Sequence, residues 1–213
     1  MADYKDIKYN VDYGDTSGAG GLIRLATAHQ AATDSDDGAS SMDFTSGIDS
    51  TYDVYYFEMS GMIPHGTSQF EFQVDTGTNT NYNITNTGMR LSWYHANADN
   101  EAGAGGHGGP NDDDTNFIKI GPPQKGSGTP GDFQTRGTQG GYLYLFNSSS
   151  TTFEKHWISK MSGTGAAGAN QYVEDYESSG YFQTTTAITR IRFRYQSGDV
   201  IDAGRITMFG LVK

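Results

Sequence analysis

The chain has 213 residues, no cysteine and a formal net charge of −11. This length suits one all-β domain with a sizeable core, and the lack of cysteine excludes a disulfide framework and thiol chemistry. Nucleic acid is not expected as a partner, because neutralising phosphates requires clustered Lys and Arg rather than an acidic balance.

The N-terminal 20 residues are polar, contain several tyrosines and end in a glycine-rich run. They hold no apolar stretch of the kind that marks a signal peptide or a membrane span, so no membrane insertion is expected. We predict that residues 1–20 form an extended anchoring segment and that residues 21–213 form a single β-sandwich domain.

The first half of this domain contains segments in which apolar and polar residues alternate, as in half-buried strands. Strands are predicted at 22–27, 52–59, 69–74 and 89–95. The segment at 52–59 is apolar on both faces, which is typical of a central strand. Polar residues at 75–79 predict a hairpin turn into a further strand at 82–85.

A glycine-rich region interrupts the strands between about residue 96 and residue 116. It is almost all Gly, Asn, Asp and Ala, a composition that buries too little apolar area to form core. We therefore predict a long surface loop there. A second loop, rich in Gly and Pro, is predicted at 121–131 after a short strand at 117–120.

Four more strands are predicted in the C-terminal half. Those at 141–146 and 153–161 form an antiparallel pair around a polar turn, and those at 190–195 and 205–212 are joined by a polar loop that contains glycine. The total of about eight to ten strands predicts an all-β, antiparallel β-sandwich that is jelly-roll-like.

The strand at 190–195 shows the clearest alternation. Ile191, Phe193 and Tyr195 are expected to line the core while the residues between and before them face away from it. These outward residues are Arg190, Arg192 and Arg194. Arginines on one face repel one another unless carboxylates oppose them. The carboxylates come either from a neighbouring subunit or from acidic neighbours on a solvated face of the same chain.

Trp93, Tyr94 and Trp157 are large aromatic side chains with a polar group, a type that often stacks on sugar rings in binding sites. His95 follows at the same strand end, so Trp93, Tyr94 and His95 are candidate ligand contacts. We favour burial in the sandwich over this role, because both tryptophans fall within predicted strands.

We predict no metal site, no cofactor and no catalytic residue. The five histidines lack the spacings that place two imidazoles on one metal. The Asp-rich stretch at 34–37 lacks the spacing of an EF-hand loop. The stretch at 112–114 is interpreted as solvated, with a cation shared with a neighbouring subunit as its alternative. No Gly-x-Ser-x-Gly motif marks a nucleophile, and we expect a protein that is not an enzyme.

Several strand and turn segments between about residues 50 and 211 follow a recognisable order. The segments are Tyr52-Asp53-Val54-Tyr55, Phe70-Glu71-Phe72-Gln73-Val74, Tyr94-His95, Tyr142-Leu143-Tyr144-Leu145-Phe146-Asn147, Ser149-Ser150-Thr151-Thr152-Phe153, Gly180-Tyr181-Phe182-Gln183-Thr184-Thr185 and Gly204-Arg205-Ile206-Thr207-Met208-Phe209-Gly210. This order resembles a family of virion structural proteins from marine tailed bacteriophages, especially phages of cyanobacteria. The resemblance implies a non-enzymatic virion component, either a capsid decoration or a tail or fibre protein, assembled in the host cytoplasm and located in the virion.

Two functions follow from these expectations. As a virion structural protein, the chain would contact other virion proteins and further copies of itself, with a homotrimer favoured, and its N-terminal segment would dock by strand addition. The alternative is a carbohydrate-binding module for host attachment, which would present the loop at 96–116 to a host surface glycan. A depolymerase would need a carboxylate cluster that the sequence does not locate.

Overall fold

The alternation in the sequence is realised as strands that bury every second side chain. In the strand that ends at Tyr195, the side chains of Ile191, Phe193 and Tyr195 are fully buried, while the arginines between them are partly exposed. The computed structural model describes residues 21–33, 37–96, 102–108, 116–125, 138–167 and 170–212. The predicted anchoring segment 1–20 lies outside the described residues.

Fourteen strands occur in the described residues. In chain order they are β1 Leu22–Gln30, β2 Met42–Phe44, β3 Val54–Pro64, β4 Thr67–Ser68, β5 Phe70–Thr76, β6 Asn86–Ala96, β7 Ala102–Gly108, β8 Ile118–Lys119, β9 Gln124–Lys125, β10 Gln139–Phe146, β11 Lys155–Ala167, β12 Asn170–Phe182, β13 Ile188–Tyr195 and β14 Ile201–Leu211. A short 3-10 helix at Gln196–Gly198 separates the last two strands.

These strands form two main antiparallel sheets packed against each other, which confirms the predicted all-β sandwich. The large sheet has eight strands in the order β1-β14-β3-β10-β11-β12-β6-β7, and the small sheet has four in the order β2-β13-β5-β8. Strands β4 and β9 form a separate two-stranded ribbon. We call the face of the large sheet that is directed towards the small sheet its inner face, and the opposite face its outer face.

The core between the sheets is organised around the ring of Phe193. Its centroid lies 5.4 Å from that of Phe57 on the large sheet, and 6.0 and 6.1 Å from those of Phe70 and Phe72 on the neighbouring strand of its own sheet. Phe44 packs edge-on at 6.3 Å. Because aromatic pairs at these separations add to the gain from burial, this cluster fixes how the two sheets sit on each other.

Long-range pairing decides the place of two segments that the sequence left open or misassigned. The last two strands, β13 and β14, lie in different sheets, so the loop that joins them crosses from one sheet to the other. The prediction of a strand at 82–85 is wrong, because β5 pairs with β13 and β8 instead. Tyr82 has a left-handed backbone with φ 49°. Its N–H donates to Asp75 Oδ2 at 2.8 Å, and Gln73 Nε2 donates to the carbonyl of Ile84, so side chains of β5 hold the segment in place of a backbone ladder.

Two strands of the large sheet were not expected. Part of the predicted loop at 96–116 is strand β7, which pairs with β6 from Met89 opposite Gly108 to His95 opposite Ala102. The loop prediction is wrong for these residues, because a backbone ladder forms without any large side chain to bury. The polar strand β12 pairs along its whole length with β11, and its many charged and small residues concealed the alternation.

Replacing Phe193 by Ala is expected to destabilise the fold by about 3–5 kcal/mol, the usual cost of deleting a buried phenyl ring. Phe153, which is 69% exposed, is the matched control, and its replacement by Ala is expected to change stability by less than about 0.5 kcal/mol. Denaturant unfolding followed by tryptophan fluorescence measures both values. Equal effects of the two substitutions would show that Phe193 is not at the centre of the core.

Candidate functional site

The outer face of the large sheet exposes large apolar side chains where a sandwich ordinarily places polar ones. Met89, Leu91 and Trp93 on β6 are 53%, 39% and 40% exposed. Val173 on β12 and Ile158 on β11 are 55% and 43% exposed. We call these five residues the outer apolar patch. Exposed apolar surface concentrated on one face marks an interaction site more often than scattered residues do.

Strand register explains how distant segments meet in this patch. Residues two apart on β6 share a face, so Met89, Leu91 and Trp93 form a line along the strand. Met89 lies opposite Ser179 of β12, and Ser179 lies opposite Ile158 of β11. A shallow open depression of about 330 Å³ is lined by Met89, Ser179 and Ile158, and also by Tyr142 of β10.

A compact group of charges borders the depression. Lys160 Nζ lies 3.0 Å from Glu177 Oε1 and 3.1 Å from Asp175 Oδ2. The hydrogen bonds to Glu177 and Asp175 raise the pKa of Lys160. Because all three groups are partly solvated, these pairs add little stability. They do place hydrogen-bonding groups beside Leu91, which lies opposite Glu177, and beside Trp93, which lies opposite Asp175.

Aromatic rings continue the apolar surface across the middle of the outer face. Tyr56 of β3 has its ring centroid 4.8 Å from that of Tyr144 and 5.8 Å from that of Phe209. Tyr144 stacks on Phe146 at 6.1 Å, and Tyr142 lies 5.5 Å from Tyr144. Burial raises the pKa of Tyr56. These five half-buried rings, which we call the aromatic cluster, extend the surface from β11 to β14.

The structure separates the aromatic candidates that the sequence grouped together. Trp93 and His95 lie on the outer face, whereas Tyr94 lies on the inner face and packs edge-on against Tyr172 at 5.6 Å. The burial expected for both tryptophans holds for Trp157, which is fully buried, but it is wrong for Trp93. Trp93 is therefore accessible to a ligand or partner.

Trp157 is held between the small sheet and the backbone of neighbouring strands. Its ring lies 5.2 Å from that of Phe72. A Cβ at Gly180 would approach the Trp157 ring to 2.7 Å, and one at Gly88 would approach it to 3.0 Å. Glycine at these positions leaves the space that the indole fills, so Trp157 belongs to the core rather than to a site.

The three arginines of β13 have partners within their own chain. Arg192 Nε donates to Asp43 Oδ1 at 2.9 Å, and its guanidinium lies 4.1 Å from the centroid of the Tyr82 ring. Arg194 Nε donates to Glu71 Oε1 at 2.8 Å. Arg190 Nε donates to the carbonyl of Gly77 at 3.1 Å. This geometry matches the interpretation of a face with local acidic neighbours, and a partner contact at these arginines stays a prediction.

A second polar group is buried on the inner face near the end of the large sheet. The Arg90 guanidinium lies 4.6 Å from the centroid of the Tyr176 ring. Among the described residues, Arg90 Nε and Nη1 and Glu174 Oε2 are buried and have no hydrogen-bond partner. Burial raises the pKa of Glu174, and the charge of Arg90 opposes that shift. This arrangement places an ionisable carboxyl where its charged form is disfavoured.

The described residues contain no group of three or more His, Asp or Glu side chains that could hold a metal ion. Of the histidines, His65 lies 3.2 Å through Nδ1 from Asp202 Oδ2. The aspartates at 34, 36 and 112–114 lie outside the described residues. In the part of the chain that the structure covers, no helix is long and apolar enough to span a membrane.

Comparisons with protein-family models, with curated proteins and with solved structures give no match to this chain. The class that the fold and the surface define is an antiparallel β-sandwich with an apolar outer face on its larger sheet.

Replacing Glu174 by Gln is expected to raise the melting temperature near pH 7 and to have little effect in acid. Because burial raises the pKa of Glu174 above its ordinary 4.5, the stability associated with its protonated form is lost as pH rises through the folded-state pKa. The neutral amide avoids that loss. The gain should therefore shrink as the pH falls towards 4.5.

Thermal melts at several pH values test this expectation, with Glu58→Gln, an exposed position on the outer face, as the control. Glu58→Gln should show no comparable gain near neutral pH. A lower melting temperature of Glu174→Gln near neutral pH would mean that Arg90 stabilises the carboxylate more than burial destabilises it.

Proposed function

We propose that the protein is a non-enzymatic structural component of a bacteriophage virion, either a capsid decoration or a tail or fibre protein. It assembles through its N-terminal segment and through the faces of its sandwich. The observation that carries this proposal is the outer apolar patch together with the aromatic cluster, because exposed apolar surface of this kind is typical of a contact with another protein. The order of strand and turn segments that resembles marine phage virion proteins supports the choice of a virion.

The size of the surface favours repeated assembly over a tight isolated contact. Fully burying a large apolar side chain contributes about 1.5–3 kcal/mol, and the patch residues are already about half buried. The five residues therefore supply roughly 5 kcal/mol, while association costs about 4–15 kcal/mol. Additional contacts from the aromatic cluster and the N-terminal segment, repeated over many copies in a particle, offset this cost through avidity.

Deleting residues 2–20 is expected to leave the sandwich folded and to abolish incorporation into particles. The described residues form a hydrophobic core cluster with members from both sheets, so the thermal melt should keep its cooperative transition. Gradient-purified particles probed by immunoblot measure incorporation, with Phe153→Ala as the control that incorporates normally. Normal incorporation of the truncated protein would contradict the assembly role assigned to this segment.

Immunogold electron microscopy of the same purified, intact particles shows where on the particle the protein lies. Label over the head would identify a capsid decoration, and label on the tail or fibres would identify an attachment component. If purified particles carry no label and also contain no detectable copy of the protein, the virion proposal is wrong.

A carbohydrate-binding module for host attachment is the second candidate. The observation that favours it is the exposed indole of Trp93, beside the hydrogen-bonding groups of Asp175 and Lys160. An accessible aromatic face with polar neighbours suits the stacking and hydrogen bonding that a sugar ring offers. On this proposal the outer face, rather than the glycine-rich segment alone, would contact the host surface glycan.

Replacing Trp93 by Ala is expected to remove glycan binding by at least tenfold in affinity while leaving the melting temperature nearly unchanged. The reason is that the indole is 40% exposed on the outer face and is not a member of the core cluster between the sheets. Glycan arrays and binding to host lipopolysaccharide provide the measurement, with Phe153→Ala as the control at another exposed aromatic position. If the wild-type protein binds no surface glycan, this second candidate is removed.

A further inference from the structure

The two edges of the large sheet differ in how they are protected. Strand β1 at one edge carries Arg24 and has a register shift between Arg24 and Ala26. Charges and bulges of this kind are devices that prevent edge strands from pairing with other chains. Strand β7 at the other edge pairs with β6 in an unbroken register, and it contains no Pro, Asp, Glu, Lys or Arg. Among the described residues, β7 pairs with β6 alone.

The side chains beside this edge leave a space on the outer face. Ala104 lies opposite Trp93, Gly106 opposite Leu91 and Gly108 opposite Met89. The three large apolar side chains of β6 are therefore flanked by positions that carry at most a methyl group. A strand added beyond β7 would lie two strand spacings, or about 10 Å, from β6. Large side chains on the added strand would lean over β7 and meet the outer apolar patch.

The chain contains a segment with the pattern that this edge requires. In residues 6–13, Ile7, Tyr9, Val11 and Tyr13 alternate with Lys8, Asn10 and Asp12. Strict alternation over eight residues indicates a strand with one apolar face, and the segment is one residue longer than the seven-residue β7. This segment lies outside the described residues. Tyr and Ile on its apolar face are suited to cover Trp93 and Leu91, while its polar face would be directed to the opposite side.

We propose that residues 6–13 of a second copy of this chain add as a strand to the side of β7 that faces away from β6, with their apolar side chains over the outer apolar patch. The donor is a second copy because of distance. A strand added beyond β7 would lie eight spacings from β1 along the sheet, which is about 38 Å. The nine residue steps from Tyr13 to Leu22 span at most about 32 Å when fully extended, so the segment falls short of that position in its own chain.

Each copy then donates one segment and accepts one. Such a head-to-tail contact closes into a ring or continues as an open array, according to the rotation between neighbours. This inference deepens the assembly role in the proposed function and rests on it for its biological setting. Its test uses purified protein alone, so that its failure is distinguishable from failure of the virion proposal.

The first experiment measures oligomeric state by size-exclusion chromatography with light scattering. The full chain is expected to form dimers or larger species at micromolar concentration, and the chain without residues 2–20 is expected to be monomeric. Ala104→Lys places a charge in the space beside Trp93 and should also give monomer. The matched control, Ala31→Lys, makes the same change at an exposed position near the other edge and should behave like the full chain.

The second experiment measures binding of a fluorescent synthetic peptide, residues 4–15, to the chain without residues 2–20. Saturable binding is expected, with at least a tenfold loss of affinity in Ala104→Lys, no loss in Ala31→Lys, and none of this binding for a peptide of the same composition with its alternation scrambled. Equal melting temperatures of the two lysine variants establish that folding is intact. A monomeric full chain, an oligomer that persists after deletion, or peptide binding unaffected by Ala104→Lys would overturn the proposal.

Discussion

Packing of the Phe193 ring between the two sheets is the constraint on which the rest of the structure depends. The ring lies on the small sheet and contacts Phe57 of the large sheet together with Phe70 and Phe72 of its neighbouring strand. Because every contributing strand must direct alternate residues to this cluster, the inner faces of both sheets are apolar around it. The outer faces are left free of that requirement, and there the two sheets differ.

The outer face of the small sheet is polar and satisfied within the chain. Arg192 and Arg194 each meet a carboxylate, from Asp43 and Glu71 respectively. The outer face of the large sheet carries the outer apolar patch and the aromatic cluster instead. Neither group belongs to the core cluster, so the packing of the core does not explain why these surface side chains are apolar. An interaction with a partner provides the physical reason for keeping these residues on the surface.

The net negative charge of the chain limits how copies of the protein can associate. A net charge of −11 makes copies repel one another, so non-specific association is disfavoured. Strand addition supplies directional backbone hydrogen bonds together with apolar contacts, and it acts at one edge only. The contrast between the bulged edge at Arg24 and the regular edge at β7 is consistent with an association confined to one side of the sheet.

By itself, the sequence determined most of the strands and which of their side chains alternate, as the fully buried Ile191 and the antiparallel pair β10 and β11 illustrate. It did not reveal β7, since a Gly and Ala strand is held by its backbone and shows no side-chain pattern. Only the tertiary structure placed β13 and β14 in different sheets and left Trp93 exposed while burying Trp157. The physical reason is that a period of two defines two faces of a strand, whereas the packing of the sheets decides which face is covered.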